Sequence, residues 1–208
     1  MRKTLRMIEI VNPPQHVTII GCGATGSWLA LMLAKAGVEK LTLVDFDAVE
    51  EHNIGTSIYG YTDLGRPKVE ALKDHLTPHR VEVEAIDDEF KAEYIGEINA
   101  MCVDNMEARA KIHRAAKTKG VKYVVDLRQH WPYITVIGYN PNLHSKLYEA
   151  TLFPDERAWR GTCTAQATPY LSATTASIAA HILLTQRSWL TFRRVDASIT
   201  AMFKGVMG

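Results

Sequence analysis

Apolar runs rich in β-branched residues alternate along this chain with longer stretches of helical spacing. The runs at 16–20, 40–44, 81–85, 99–103 and 121–126 read as strands, with a further strand at 133–139. Helical periodicity covers 25–36, 67–76, 106–118 and 172–187. Strands alternating with helices predict an α/β fold, a doubly wound and mostly parallel sheet. Gly37 follows the first helix, where a left-handed cap favours glycine. Pro67 suits a first helical position, because its missing N–H would have no partner there. Pro78 stops the same helix two residues after Leu76. Asn140-Pro141-Asn142 suits a turn joining two antiparallel strands late in the chain. The tail from Trp189 carries Phe192, Met202 and Phe203 among cations; it reads as a terminal strand or helix over the core, with a partner-docking surface as the other reading.

Composition narrows the class. The 208 residues predict one domain over 1–208, able to bury about 70% of its unfolded surface. No repeat, low-complexity tract or linker interrupts it. Apolar residues at 47% and charged residues at 23% are ordinary for a soluble globular protein. A net charge of +1 argues against broad attraction to nucleic acid or an acidic membrane. The N-terminus lacks the continuous apolar run of a signal peptide, and apolar segments fall well short of the roughly 20 residues that span a bilayer. Cys22, Cys102 and Cys163 are odd in number and widely spaced, with no C-x-x-C pair. Neither a zinc site nor a disulfide framework is expected, and a reducing cytoplasm is the expected compartment. The eight histidines show no H-E-x-x-H pattern; His52 alone is read as a pocket residue.

The segment "VTIIGCGATGSWLALMLAKAGVEKLTLVD" adds chemistry to this frame. Gly21, Gly23 and Gly26 form G-x-G-x-x-G between a strand and a helix, the Rossmann-like arrangement. Gly21 permits the tight turn, Gly23 lets a phosphate approach the backbone, and Gly26 lets the helix pack against the sheet. Ala24 and Thr25 belong to the same cradle, whose helix N-terminus offers free N–H groups to phosphates. Asp45 closes the second strand, where a carboxylate can accept hydrogen bonds from a ribose. Close helix–strand packing without a ligand is the bland alternative. The pattern itself does not choose between a dinucleotide and ATP.

Downstream segments separate these. "DFDAVEEHNIG" orders Asp45, Asp47 and Asn53; "TDLGRPKVEAL" places Arg66 and Lys68 at a helix start; "MCVDNMEARAKIH" puts Asp104 and Asn105 at a strand end and Arg109 one turn into a helix. With "GTCTAQATPYLSATTASIAAHILL", these segments resemble the ThiF/MoeB family, the bacterial relatives of ubiquitin-activating enzymes, over about residues 15–187. The resemblance implies ATP-dependent adenylation of a carboxylate, usually the C-terminus of a small ubiquitin-like or sulfur-carrier protein, and often a homodimer. It places Asp45 on the ribose, Asn53 and Lys68 on the phosphates, and Asp104 on the accompanying Mg2+. A hydride-transfer enzyme has no need for the Lys68 and Asp104 segments.

The chain departs from the family where Leu-Gln-Arg commonly follows the asparagine. Thr56 occupies the arginine position, which removes a forked donor that threonine cannot replace. Arg128 ranks first as a replacement; Arg66 and an N-terminal Arg2 or Arg6 from a second subunit are the others. Cys163 corresponds to a cysteine that some relatives use to take the acyl group or sulfur, and a thiolate can attack an acyl adenylate. A structural Cys163 stays open beside the catalytic one. Two further readings also stay open: a pseudo-enzyme subunit that binds ATP, motivated by Thr56, and adenylation of a carboxylate on a modified tRNA, disfavoured by the near-neutral charge.

Overall fold

Residues 13–154, 169–186 and 188–198 are described by a computed structural model. Their strands are β1 His16–Ile20, β2 Lys40–Val44, β3 Glu82–Ile86, β4 Ile98–Met101, β5 Tyr123–His130, β6 Tyr133–Tyr139 and β7 Arg193–Ser198. They form one seven-stranded sheet in the order β3-β2-β1-β4-β5-β6-β7. β1 pairs in parallel with β2 and β4, β2 with β3, and β4 with β5. β5, β6 and β7 are antiparallel. The mostly parallel sheet with a late antiparallel part is therefore as the sequence predicts.

Burial explains why the central strands read as continuous apolar runs. Val17, Ile19, Leu41, Leu43 and Ala100 are fully buried because helices cover both faces. On one face lie α1 Ala24–Lys35, α3 Lys68–Leu76 and α6 Pro169–Thr185; on the other lie α4 Met106–Thr118 and α5 Ser145–Glu149. In α6 the small buried residues Ser172, Thr175, Ala176, Ala179 and Ala180 allow close packing on α1, β5 and β6. The strand order reverses between β1 and β4, which opens a crevice at the carboxyl ends of the strands. No helix among the described residues is long and apolar enough to cross a membrane.

Three local readings need correction. The turn at Asn140 exists, its Oδ1 accepting from the N–H groups of Asn142 and Leu143, but it leads from β6 towards α5. The antiparallel pair β5–β6 closes instead at Trp131–Pro132. β5 runs on to His130, since pairing with β6 continues beyond the apolar stretch that ends the predicted strand. Pro67 stands one position earlier than read, as the N-cap of α3, with its carbonyl accepting from the Ala71 N–H. Gly37 is left-handed at φ 92°, as a glycine cap requires.

Candidate active site

The crevice at the strand ends is a cleft of about 1460 Å³. Gly21, Gly23, Ala24, Thr25, Asp45, Asp47, Asn53, Lys68, Asp104 and Arg128 all line it, as does His52. Residues as far apart in sequence as 21 and 128 thus face one space because parallel strands deliver their loops to the same sheet edge.

The glycine loop has three different steric situations. A Cβ on Gly21 would lie 2.6 Å from the Cys102 carbonyl oxygen, and Gly21 itself has φ 94°. On Gly26 it would lie 1.9 Å from the Gly21 carbonyl oxygen, so Gly26 packs behind the loop rather than lining the cleft. A Cβ on Gly23 meets nothing within 4 Å. Gly23 is also the N-cap of α1 and offers no side-chain acceptor to that helix. The first-turn N–H groups of a helix have no intrahelical partner, so this end of α1 suits an anion.

Asp45 ties the loop together. Its Oδ2 accepts from the Cys22 N–H at 2.6 Å and its Oδ1 from the Asp47 N–H at 2.9 Å. Each oxygen keeps a second lone pair for a hydroxyl in the cleft. Burial raises the Asp45 pKa, against the opposing pull of Lys68 and the two N–H groups. Tyr59, buried, extends the brace: its hydroxyl lies 2.6 Å from the Cys22 carbonyl oxygen and 3.2 Å from that of Lys68. One phenol therefore fixes the glycine loop against the start of α3.

Lys68 has a buried stem, and its Nζ meets Asp47 Oδ2 at 2.7 Å. Asn53 is only 5% exposed; its Oδ1 accepts from the Glu50 N–H at 2.9 Å, and its carbonyl accepts from Ser57 Oγ at 2.6 Å. Its amide nitrogen has no partner among the described residues, which leaves a donor for the cleft. Thr56, by contrast, points inward: its Oγ1 donates to the Asn53 carbonyl, and its own carbonyl accepts from Trp28 Nε1. Arg66 is also outside the cleft lining, held by Asp63 Oδ1 at 3.4 Å and Asp74 Oδ2 at 2.5 Å.

Asp104 is exposed in the loop between β4 and α4. Asn105 caps α4 through Oδ1, which accepts from the Ala108 N–H at 2.7 Å, while its Nδ2 donates to Asp104 Oδ1 at 3.1 Å. Arg109 brackets this loop from below. Its Nη1 and Nη2 donate to the carbonyls of Asn105 and Val103, on either side of Asp104, and its Nε donates to Asp126. Asp126, fully buried, also accepts from Arg128 Nε at 2.7 Å and from the Tyr148 hydroxyl at 3.0 Å. Arg128 Nη1 and Nη2 donate to the carbonyl and Oγ1 of Thr151.

Tyr59 and Asp126 escaped the sequence reading. Tyr59 carries no motif signal. Asp126 carries none beyond its place two positions from Arg128 on the same strand face. Cys22 is buried and Cys102 partly so; burial raises the pKa of both thiols, that of Cys102 to about 12. Neither is a thiolate near neutral pH. Cys163, Arg2 and Arg6 lie outside the described residues.

The chain is 32% identical over 136 residues to molybdopterin-synthase adenylyltransferase of Haemophilus influenzae, covering 60% of this chain and 55% of that protein. It is 35% identical over 135 residues to ubiquitin-like modifier-activating enzyme 5 of Caenorhabditis elegans, covering 53% of this chain and 32% of that one. Among solved structures, PaaA superposes with a TM-score of 0.66 at 27% identity, over 89% of this chain and 64% of PaaA. The chain thus spans less than two thirds of each of these relatives. The model of the ThiF family matches residues 13–195, and the chain belongs to the ThiF family.

Proposed function

We propose that this chain adenylates the C-terminal carboxylate of a small ubiquitin-like or sulfur-carrier protein, or of a peptide, using ATP. The observation that carries this reading is the convergence of an uncapped helix N-terminus, Lys68 and the unpartnered amide of Asn53 on one side of a cleft, with Asp104 and Arg128 across it. In the reaction a carboxylate oxygen attacks the α-phosphorus, the new P–O bond forms, and the bond to pyrophosphate breaks.

The residues fit ATP. Gly21, Gly23, Ala24 and Thr25 surround an open cradle whose only steric freedom is at Gly23, where a phosphate needs it. Asp45 accepts from the ribose while holding the loop. Lys68 and Asn53 offset charge on the phosphates, including the charge that moves onto the leaving pyrophosphate. Arg128 supplies a second positive charge at the reacting centre, in place of the arginine absent at Thr56. Its bonds to Asp126 and Thr151 fix its head before substrate arrives, so little reorganisation is needed during reaction.

Asp104 would hold Mg2+. No group of three or more His, Cys, Asp or Glu gathers among the described residues, and one carboxylate suits an ion that shares phosphate oxygens and water. Bound there, Mg2+ would screen the phosphate charge from the incoming carboxylate. After adenylation, Cys163 is the candidate nucleophile: its thiolate would attack the acyl adenylate, forming a thioester and releasing AMP. A homodimer in a reducing cytoplasm completes the reading.

Pyrophosphate exchange tests it: the chain, ATP, Mg2+ and labelled pyrophosphate are mixed with purified β-grasp carrier proteins from the same genome. Carrier-dependent incorporation of label into ATP supports adenylation. ATP binding without exchange across the whole set points to a binding subunit and contradicts it.

A further inference from the structure

The half of the cleft over β5–β7 has a chemistry of its own. Every carboxylate among the described lining residues, from Asp45, Asp47, Asp88 and Glu89 to Asp104 and Glu107, belongs to the loops after β2, β3 and β4 or to the first turn of α4. Over the antiparallel strands the lining carries Arg128, Arg194, Tyr133 and Phe153 and no described carboxylate. The cleft also exceeds the roughly 300–1,000 Å³ of a usual small-molecule site, so a nucleotide leaves room beside it.

Charge and register place the elements of this half around Arg128. Asp126 is shared by two guanidiniums, so the trio Arg109–Asp126–Arg128 keeps one unbalanced positive charge. Arg109 spends its donors inside the protein, on Asp126 and the carbonyls of Val103, Asn105 and Leu127. Arg128 gives three of its five N–H groups to Asp126 and Thr151, which leaves two for a ligand in the cleft that it lines. Arg194 is matched by Asp196 at 2.7 Å. Arg128 faces Thr135 across the β5–β6 pair, and Tyr133 is the next same-face residue along β6. On the other side Arg128 is bonded to Thr151, and Phe153 follows two residues later. Tyr133 is 60% exposed and Phe153 is 40% exposed. Two exposed aromatic rings beside this arginine, on the wall of a cleft, form an apolar surface suited to a ligand.

We propose that this half receives an extended peptide end whose free carboxylate meets Arg128 and whose adjoining residue is bulky and apolar, seated between Tyr133 and Phe153. The inference rests on the adenylation reading and narrows its substrate: a tail of two glycines leaves both rings uncovered, whereas an aromatic or large aliphatic residue beside the terminus covers them.

Fluorescence anisotropy with labelled octapeptides tests it, in the presence of Mg2+ and a non-hydrolysable ATP analogue. Three peptides share their first six residues and end in Gly-Gly, in Phe-Gly, or in Phe-Gly amide. The Phe-Gly acid is expected to bind about tenfold or more tightly than the Gly-Gly acid, the gain from covering one large apolar side chain. The amide is expected to lose most of that affinity. In Tyr133→Ala, an exposed position whose change spares the core, the preference for Phe-Gly is expected to fall several-fold while Gly-Gly binding is unchanged. Equal affinity of the two acids, an amide as tight as the acid, or no peptide binding alongside normal nucleotide binding overturns the inference and leaves the nucleotide site standing. Failure of the nucleotide analogue itself to bind overturns the adenylation reading.

Discussion

Arg109 Nε and Asp126 Oδ1 meet at 2.9 Å beneath the Asp104 loop, with both side chains buried. The pair couples two things that chemistry needs fixed. Through Arg109 it pins the carbonyls flanking Asp104, and through the other carboxylate oxygen it aims Arg128 into the cleft. Removing the charge of Asp126 leaves the buried Arg109 and the partly buried Arg128 without an anion. Asp126→Asn is expected to lower stability by about 3–5 kcal/mol, the usual cost of breaking a buried pair. Denaturant titration measures it, and a loss below about 1 kcal/mol would show that the trio is not the brace described.

Gly23 and Gly26 make a contrasting pair of alanine substitutions. Gly23→Ala adds a methyl to open space, so it is expected to cost far less stability than a substitution that drives a methyl into backbone. The same methyl intrudes where phosphates approach the loop, and the affinity for ATP should fall at least tenfold, about 1.4 kcal/mol. Gly26→Ala drives its methyl into the Gly21 carbonyl and should destabilise by several kcal/mol, on the order expected for overpacking. Calorimetric melting with a parallel ATP titration separates the two. Equal loss of fold in both variants would contradict the assignment of Gly23 to the cradle.

Tyr59→Phe removes only the hydroxyl that joins the carbonyls of Cys22 and Lys68. The buried carbonyls lose a donor, at a cost of about 1–3 kcal/mol. Because the lost brace spans the phosphate loop and α3, the Kd for ATP should rise along with the drop in stability. An unchanged Kd in a properly folded Tyr59→Phe would confine this residue to packing.

His113 gives the fold a pH dependence with a definite sign. Its Nδ1 lies 3.0 Å from the Tyr139 hydroxyl, and its Nε2 lies 3.0 Å from Ser145 Oγ and 3.3 Å from Glu149 Oε1. Burial lowers its pKa, helped by Lys117 and Arg114 and opposed by Glu149. The unfolded chain takes up this proton near pH 6.5, about the ordinary value, before the folded one does. The contribution is therefore full above about pH 6.5 and is lost as pH falls through the depressed folded value. Denaturation midpoints between about pH 5 and 7.5 should fall with pH in the parent chain and flatten in His113→Gln. An equal slope in both would remove His113 as the cause.

The sequence made the parallel half of the fold legible because burial on both faces turns β1, β2 and β4 into short apolar runs. It made β7 hard to read for the opposite reason. Arg193 to Asp196 are exposed on the last described strand, so charges interrupt any run. α2 Glu51–Ile54 and α5 Ser145–Glu149 are too short to show a period. At the site, backbone-driven features such as Gly21 and Asp45 were readable from spacing. Asp126, Tyr59, Tyr133 and Phe153 were not, because their roles arise from cross-strand register and from loops that meet only in three dimensions. Arg66 illustrates the limit from the other side: its position beside Lys68 in sequence does not bring it into the cleft, since Asp63 and Asp74 hold it elsewhere.

The central claim is that one cleft holds Mg2+ and ATP between Lys68 and Asp104. Isothermal titration of ATP into the parent chain, Lys68→Ala and Asp104→Ala, each with and without Mg2+, tests it most directly. The parent should bind more tightly with Mg2+. Lys68→Ala should weaken binding at least tenfold under both conditions, about 1.4 kcal/mol, while Asp104→Ala should lose the gain from Mg2+ and keep the metal-free affinity. ATP bound equally by all three proteins, with or without Mg2+, would contradict the account.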